Sequence, residues 1–590
     1  MSRRRWLPVS ISTVVAVGLY AAIQLRVVLT AAPGPMQALR TAFRHDQLGY
    51  LSIVADVASG NLQSHEPVTE TGVNHYPRAY YTLIGLISRG FELTPVSAWN
   101  IGSAVLQLAA VAVLSVTMSR LSRRWWVGML APLPFFTGTL ATLQSGSWYT
   151  HLDEHAVLWG PFGAMFPNNG ETAGLSVITM VLCALAWVWT RPARRPSRVV
   201  VSLVSAAALG ALSAVQTYSY LTGMYIIAAI VAIYFLQGAR VWWFVATLGA
   251  VGIVWVAGPA IADRVGQLPM LMFGLLPTVP GLILGVKASR GWLALYAAVA
   301  AVAAAPQIVW TVSGLVTGDP FLTYRVASNV DLGVAHPPTI IASLPVVLPL
   351  VLVLGVAWRW RNRIGIAALL GTGATAALLS MNDLWGANAE PYRFWIEMFF
   401  LGGVVTTLAA CHLGGLPSAA RHRVATAGGK ILLRTTAVAC AVVYAVSLLD
   451  LWGFIHDPKM NATWNPHSSR DTALADAART AARNSDSLVL TDRCIDPRTV
   501  KVTSAAPIAY FYLGMAWPER VDAVAEIMSQ RDQGKVSAST LAASDTGWLL
   551  SDSHCSTALT FSAVDKEAFA VYPYSDPHGS GTITVWRLSP

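Results

Sequence analysis

Asp46 is the first residue along the chain whose type and neighbours suit acid–base work. It stands in Phe43-Arg44-His45-Asp46-Gln47-Leu48-Gly49-Tyr50, with Asp56 ten residues on. A carboxylate there could take the proton of an attacking hydroxyl as a general base; the plainer alternative is a solvated loop acid. A second polar group follows at Asn74-His75-Tyr76-Pro77-Arg78-Ala79-Tyr80-Tyr81. Amide, imidazole and aromatic groups bond and stack on polyhydroxylated ligands. Tyr76, Tyr80 and Tyr81 equally suit a water–lipid boundary, and anchoring there is the reading favoured for them.

Further along, His151 and His155 lie four apart in Trp148-Tyr149-Thr150-His151-Leu152-Asp153-Glu154-His155. The full His-Glu-x-x-His pattern of a helical zinc site is missing, which argues against zinc. Asp153, Glu154 or Glu171 could hold a divalent cation (Mg, Mn or Ca) with waters, the one cofactor the residues suggest. Glu171 follows Phe166-Pro167-Asn168-Asn169-Gly170, and Gln216-Thr217-Tyr218-Ser219-Tyr220 interrupts an apolar hairpin. Tyr324-Arg325 comes after Asp319-Pro320-Phe321, and Arg393 opens a late apolar run with Glu397 one turn deeper. The planar fork of an arginine matches a phosphate. Its alternatives are a snorkelling anchor or an ion pair with Glu397.

These residues sit in a very apolar chain. Of 590 residues, 54% are hydrophobic and 12% charged, with mean hydropathy +0.52. That excludes a disordered chain, a collagen-like fibre and an ordinary cytosolic enzyme. Five cysteines exclude a disulfide scaffold. A bilayer span needs about 20 apolar residues. The sequence predicts thirteen, at about 7–31, 98–118, 126–143, 173–190, 199–217, 221–236, 241–261, 268–286, 291–313, 340–358, 364–381, 394–412 and 435–452. The first is read as a retained anchor rather than a cleaved signal.

Charge sets the orientation. With Met-Ser-Arg-Arg-Arg in the cytoplasm, the inner segments hold 20 of the 40 Lys and Arg and none of the 30 Asp and Glu. This is the positive-inside pattern, so the net charge of +10 reports membrane orientation and not a nucleic-acid partner. The acids face outward, in a loop at 32–97, a second at 144–172 and a tail at 453–590. In the first loop a short amphipathic helix between Asp46 and Ala58 is expected along the membrane surface, with Asp46, Tyr50 and Val54 on one face. The tail alternates an Ala-rich helix (Arg470–Arg483), a strand at 487–492, a helix at 520–531, and strands at 548–550 and 582–588, which predicts a small α/β or α+β module. Cys494 and Cys555 fall there, either as a disulfide or as two thiols. Thus the division expected is a membrane domain, 1–452, and an extracytoplasmic domain, 453–590.

An outward acid near the membrane, an arginine at bilayer depth and aromatic, amide-rich loops are compatible with a polyprenyl-phosphate sugar donor. The order of features resembles the GT-C superfamily of integral membrane glycosyltransferases. Asp46-Gln47 with Tyr50 and Asp56, Tyr76-Pro77, Pro167–Glu171, Gln216–Tyr220 and Arg393 resemble actinobacterial cell-wall arabinofuranosyltransferases, the galactan-priming kind above all. The resemblance implies an all-α polytopic fold and Asp46 as the catalytic base. It also implies Arg393, with Arg325 or Arg78, on the donor phosphate, and a polysaccharide or glycolipid acceptor ordered by the tail. His45, Gln47, Tyr50, Asn74, His75, Tyr76, Glu171 and Gln216 would line the sugar and acceptor pocket. Rival readings are a lipid-linked glycan polymerase or ligase, a transporter or flippase, and an assembly protein whose tail binds a partner. The span centres carry few charges, which disfavours transport.

Overall fold

A computed structural model describes residues 6–144, 159–190, 195–265, 267–327, 333–416, 427–577 and 579–589. Among these, twelve helices are long and apolar enough to cross a membrane, from Trp6–Gln24 to Ala437–His456. The protein is a mostly helical, multi-pass membrane protein with a sheet near its C-terminus.

Twelve of the thirteen expected spans fall on segments long and apolar enough to cross a membrane, although 268–286 is divided by a 3-10 turn at Leu276–Thr278. The third, 126–143, does not. It breaks into a 3-10 turn (Trp125–Leu130), a four-residue helix (Leu133–Phe136), an irregular stretch and a second 3-10 turn (Ala141–Leu143). Pro132 and Pro134 supply no N–H and obstruct the preceding turn. Thr137 is extended, and Leu140 is left-handed at φ 58°. Irregular backbone in an apolar setting must find its partners within the protein. Here the last span provides them from one face. Tyr444 Oη donates to Leu133 O at 2.9 Å, and Gly138 N donates to Ser447 Oγ at 3.2 Å. The Asp450 carboxylate accepts from Ala141 N, Thr142 N and Thr142 Oγ1, each at 2.9 Å. Gly138 is what lets the chains approach, because a Cβ there would stand 2.2 Å from Ser447 O.

The chain divides into two compact units. The first comprises 1–25, 104–309 and 324–457 and holds most of the membrane helices. Its most deeply buried span is Pro391–Gly414, packed by Arg363–Ser380, Thr217–Leu236 and Gly170–Thr190.

The second unit comprises 26–103, 310–323 and 458–590, so the first loop is grouped with the tail. Its strands are β1 (Leu39–Arg40), β2 (Thr463–Trp464), β3 (Leu488–Thr491), β4 (Lys535–Ser537), β5 (Thr546–Asp552), β6 (Thr560–Ser562), β7 (Asp565–Asp576) and β8 (Gly579–Ser589). The main sheet runs β3-β5-β8-β7, parallel only between β3 and β5. The expected alternation of helix and strand is present. The expectation lacked β2, β4, β6 and β7; of these only β7 belongs to the main sheet, where it carries Pro573 and lies at the edge, so the lost ladder donor is tolerated. Helix Ser469–Asn484 presents Ala473, Leu474, Ala477, Ala478 and Ala481 to this sheet. First-loop residues complete the assembly. Val68 lies in that same core, Ile508 N donates to Val68 O, and β1 pairs with β2. Cys494 and Cys555 form a disulfide with a sequence separation of 61.

Candidate functional site

Asp46 lies in the first turn of helix Arg44–Ser59. This helix is not the amphipathic surface helix expected. Every residue from Gln47 to Val57 is buried except the half-buried Tyr50. It is enclosed by helix Ala79–Gly90 on one side and by the tail helix Pro497–Ser504 on another. Its two ends stay open: His45 and Asp46 are exposed in the first turn, and Ser59 is exposed in the last. Apolar residues at 48, 51, 53, 54, 55 and 57 surround the helix with no polar stripe, which suits a buried element rather than a surface one.

The tail grips this helix through its polar residues. Arg44 pairs with Asp496 at 3.3 Å, and Arg498 Nη1 donates to His45 Nδ1 at 2.5 Å. Tyr512 Oη donates to Asp46 Oδ1. One side of the helix further on, Lys501 is fully buried. Its ammonium reaches Asp56 Oδ1 and Glu70 Oε1, both at 2.6 Å, and Ala505 O at 3.3 Å. Burial alone would lower the Lys501 pKa, but Asp56 and Glu70 outweigh it and hold it above the usual lysine range. His65 Nε2 sits 3.3 Å from the other Asp56 oxygen.

The aromatic group of the first loop is interior, not a boundary anchor. Tyr80, Tyr81 and Trp99 are buried. Tyr50 stacks on Tyr81 at 4.8 Å, Tyr81 stacks on Trp99 at 5.7 Å, and Tyr76 Oη donates to Tyr50 Oη at 3.2 Å. Burial, then the neighbouring Tyr76 and Tyr81, pushes the Tyr50 phenol well above its ordinary pKa. Asn74 and His75 are also buried, and both reach residue 310. Trp310 Nε1 donates to Asn74 O at 2.9 Å, and His75 Nδ1 lies 3.0 Å from Trp310 O. Arg78 turns its fork inward onto Gln63 O (2.6 Å) and Leu62 O (3.0 Å), which braces the loop. Gln47, on the buried part of the helix, is 1% exposed.

The other four predicted residues lie in the membrane unit. Arg393 Nε is 2.9 Å from Glu390 Oε2, and Arg393 Nη1 is 3.8 Å from Glu171 Oε2. Arg325 Nη2 meets the other Glu390 oxygen at 3.0 Å. One carboxylate thus holds two guanidiniums. The Tyr218 and Tyr392 rings lie 5.6 and 5.7 Å from the Arg393 guanidinium. The Arg393–Glu397 pairing considered from sequence is not formed. Glu397 instead accepts from Ser219 Oγ and Thr222 Oγ1, both at 2.6 Å. Gln216 caps the start of helix Thr217–Leu236 in extended conformation, which brings Tyr218 and Ser219 onto its first turn.

Glu390 is held in the left-handed region at φ 42°, next to Asn388 at φ 41°. Side chains rarely adopt that conformation without surrounding support. Asn382 supplies it, accepting from Ala389 N at 2.6 Å and donating to Leu379 O at 2.8 Å. Burial would raise the Glu390 pKa, but Arg393 and Arg325 hold it below the usual range.

Sequence reasoning did not select Tyr512, Arg498, Lys501 or Glu390. The aromatic run Tyr510-Phe511-Tyr512 was a visible signal for the first. Nothing in local pattern marked Lys501, whose acid partners lie more than 400 residues away. His151, Asp153, Glu154 and His155 fall outside the described residues. Among the described residues no group of three or more His, Cys, Asp and Glu could hold a metal ion. Glu171 has one oxygen 3.8 Å from the Arg393 guanidinium, and its other oxygen is buried without a hydrogen-bond partner among the described residues.

No protein-family model and no curated protein matches the chain. Solved structures with similarity include the archaeal oligosaccharyltransferase AglB from Archaeoglobus fulgidus, in complex with an inhibitory peptide and a dolichol-phosphate. It shows 10% identity, coverage of 93% of this chain and 69% of that one, and a TM-score of 0.45. ArnT from Cupriavidus metallidurans in the apo state shows 13% identity, coverage of 97% of both chains and a TM-score of 0.45. The same ArnT bound to undecaprenyl phosphate shows 13% identity, coverage of 99% and 98%, and a TM-score of 0.43.

Proposed function

We propose that the chain is a membrane glycosyltransferase of GT-C type. It moves a sugar, arabinofuranose, from a polyprenyl-phosphate donor to a cell-envelope polysaccharide or glycolipid acceptor outside the cytoplasmic membrane. The observation that carries this reading is Asp46: an exposed carboxylate on the open first turn of a helix buried from Gln47 to Val57 apart from the half-buried Tyr50, with one oxygen engaged by Tyr512. Among the described residues its Oδ2 has no hydrogen-bond partner, so that oxygen is available to a substrate hydroxyl.

In the reaction the acceptor oxygen attacks the anomeric carbon, the bond from that carbon to the phosphate oxygen breaks, and the polyprenyl phosphate departs. The acceptor proton goes to Asp46 Oδ2. A single displacement of this kind inverts the anomeric centre. Arg393 and Arg325, held by Glu390, stabilise the departing phosphate. Arg78 is left out of this set because its fork is already closed on backbone carbonyls. His45 and Tyr76 are the first-loop residues still open enough to meet sugar.

An N-terminus inside and a tail outside fit the loop–tail packing. An even number of crossings must separate the first loop from a tail on the same side of the membrane. Eleven span-length helices lie between them. The broken segment beginning at Trp125 supplies the twelfth crossing, and the basic residues Arg120, Arg123 and Arg124 then stay inside.

The test is transfer in membranes given radiolabelled decaprenyl-phospho-arabinose and a galactan-like acceptor. Asp46→Asn keeps the size and removes the base, so the rate is expected to fall about 10²- to 10⁴-fold at equal expression. Undiminished transfer by the variant would remove Asp46 from the chemistry. Transfer only from a lipid diphosphate would move the reading to a polymerase or ligase.

A further inference from the structure

Tyr512 comes from the tail, 466 residues beyond Asp46, and its hydroxyl donates to Asp46 Oδ1. Two glycines make room for its ring. A Cβ on Gly49, one turn after Asp46, would stand 3.0 Å from Tyr512 Cδ1 and 3.0 Å from Met515 Cε. A Cβ on Gly514 would stand 2.6 Å from Tyr512 Cε1. The ring therefore packs against the bare side of the helix at Gly49, and its hydroxyl reaches the acid one turn earlier. A carboxylate on an exposed first turn otherwise samples several rotamers. The neighbouring contacts Arg44–Asp496 and His45–Arg498 keep the same turn against the tail.

We propose that Tyr512 is a positioning residue for Asp46: it fixes the carboxylate by one oxygen, so that the other faces the acceptor hydroxyl. The proposal rests on the assignment of Asp46 as base. It gives the C-terminal domain a direct part in the reaction at the base itself. Tyr512 bonds the acid and not the substrate, so its loss slows turnover without weakening binding.

The experiment measures kcat and KM for donor and acceptor with the full-length protein in its membrane. The variants are Tyr512→Phe, Gly514→Ala and Asp46→Asn, with thermal unfolding of each as a check on folding. Tyr512→Phe is expected to lower kcat about 10- to 100-fold while both KM values stay within about twofold. Gly514→Ala keeps the hydroxyl but shifts the ring, and is expected to lower kcat in the same way. It carries the test should Tyr512→Phe fold poorly. An inactive Asp46→Asn beside a Tyr512→Phe with wild-type kcat would overturn the positioning role and leave the base standing. A Tyr512→Phe that raises KM at unchanged kcat would also overturn it, by showing substrate contact. An active Asp46→Asn would overturn the base and the positioning role together.

Discussion

Lys501 shows how one side chain can join distant parts of a chain. It is buried, its ammonium donates to Glu70 and Ala505 O, and it pairs with the two first-loop acids Asp56 and Glu70. Replacing it by Met removes the cation and leaves Asp56 and Glu70 facing each other without it. Breaking a buried ion pair from one side costs about 3–5 kcal/mol. Lys501→Met is therefore expected to loosen the first loop from the tail, seen as a lower unfolding temperature and faster proteolysis within 44–78. Unchanged protease resistance would contradict this account. His75 and Asn74 are related cases. The resemblance implied a place for them in a sugar pocket, and the structure shows what holds them, partners at Trp310 more than 200 residues away.

Among the elements, the broken apolar segment 126–143 is the clearest departure from hydropathy. A window average counts the apolar residues from Trp125 to Leu143 and ignores Pro132 and Pro134. Once the helix is interrupted, its amides need other acceptors, and Asp450 takes two of them. Asp450→Ala leaves Ala141 N and Thr142 N unpaired, at about 1–3 kcal/mol for each buried donor. Asp450→Asn retains an acceptor and should cost less. Unfolding temperatures in detergent are expected in the order wild type, Asn, Ala; equal values for all three would show that the segment is held by packing alone. The helix bearing Asp46 illustrates the opposite error. Its length and place were legible, but its burial was not, because the tail helix that covers it comes 450 residues later.

For the molecule as a whole, the loop–tail unit should respond to pH in two directions. Burial would raise the pKa of Asp496 and Asp552, but both lie below the usual aspartate range. Arg498 and Arg44 hold Asp496 down; the His554 amide and Arg470 hold Asp552 down. Such carboxyls contribute stability that is complete above their unfolded pKa, about 3.9, and is lost as pH falls through the folded value. Burial lifts the Glu66 carboxyl the other way, from 4.5 to about 7, against the pull of the Thr69 hydroxyl and the Thr69 and Val68 amides. Its contribution is complete below pH 4.5 and declines as pH rises toward 7. Lys501, raised, contributes throughout this range and is lost only at strongly alkaline pH. Unfolding temperature is thus expected to drop steeply below about pH 4 and to slope gently downward from pH 4.5 to 7. Asp496→Asn should soften the acid limb. A steady rise in stability from pH 4.5 to 7 would show that Glu66 is ionised throughout. The Cys494–Cys555 bond closes a loop of 61 residues. In the chain-entropy model that is about 4 kcal/mol for the same unit.

Hydropathy by itself determined the polytopic class, twelve of the thirteen span-length apolar segments, and, with local period, the helix–strand alternation of the tail. These are properties of short windows, since a bilayer selects on local apolarity and a strand or helix on local period. The residues worth examining, Asp46 and Arg393 among them, were legible because an ionisable group beside an apolar run is conspicuous in one dimension. Only the tertiary structure decided their partners. Glu390 for Arg393 and Arg325, Tyr512 for Asp46, Lys501 for Asp56, and Asp450 for the interrupted segment lie from a few to several hundred residues away. Burial and ion pairing depend on what folds back from a distance, and the sequence carries no periodic signal for that.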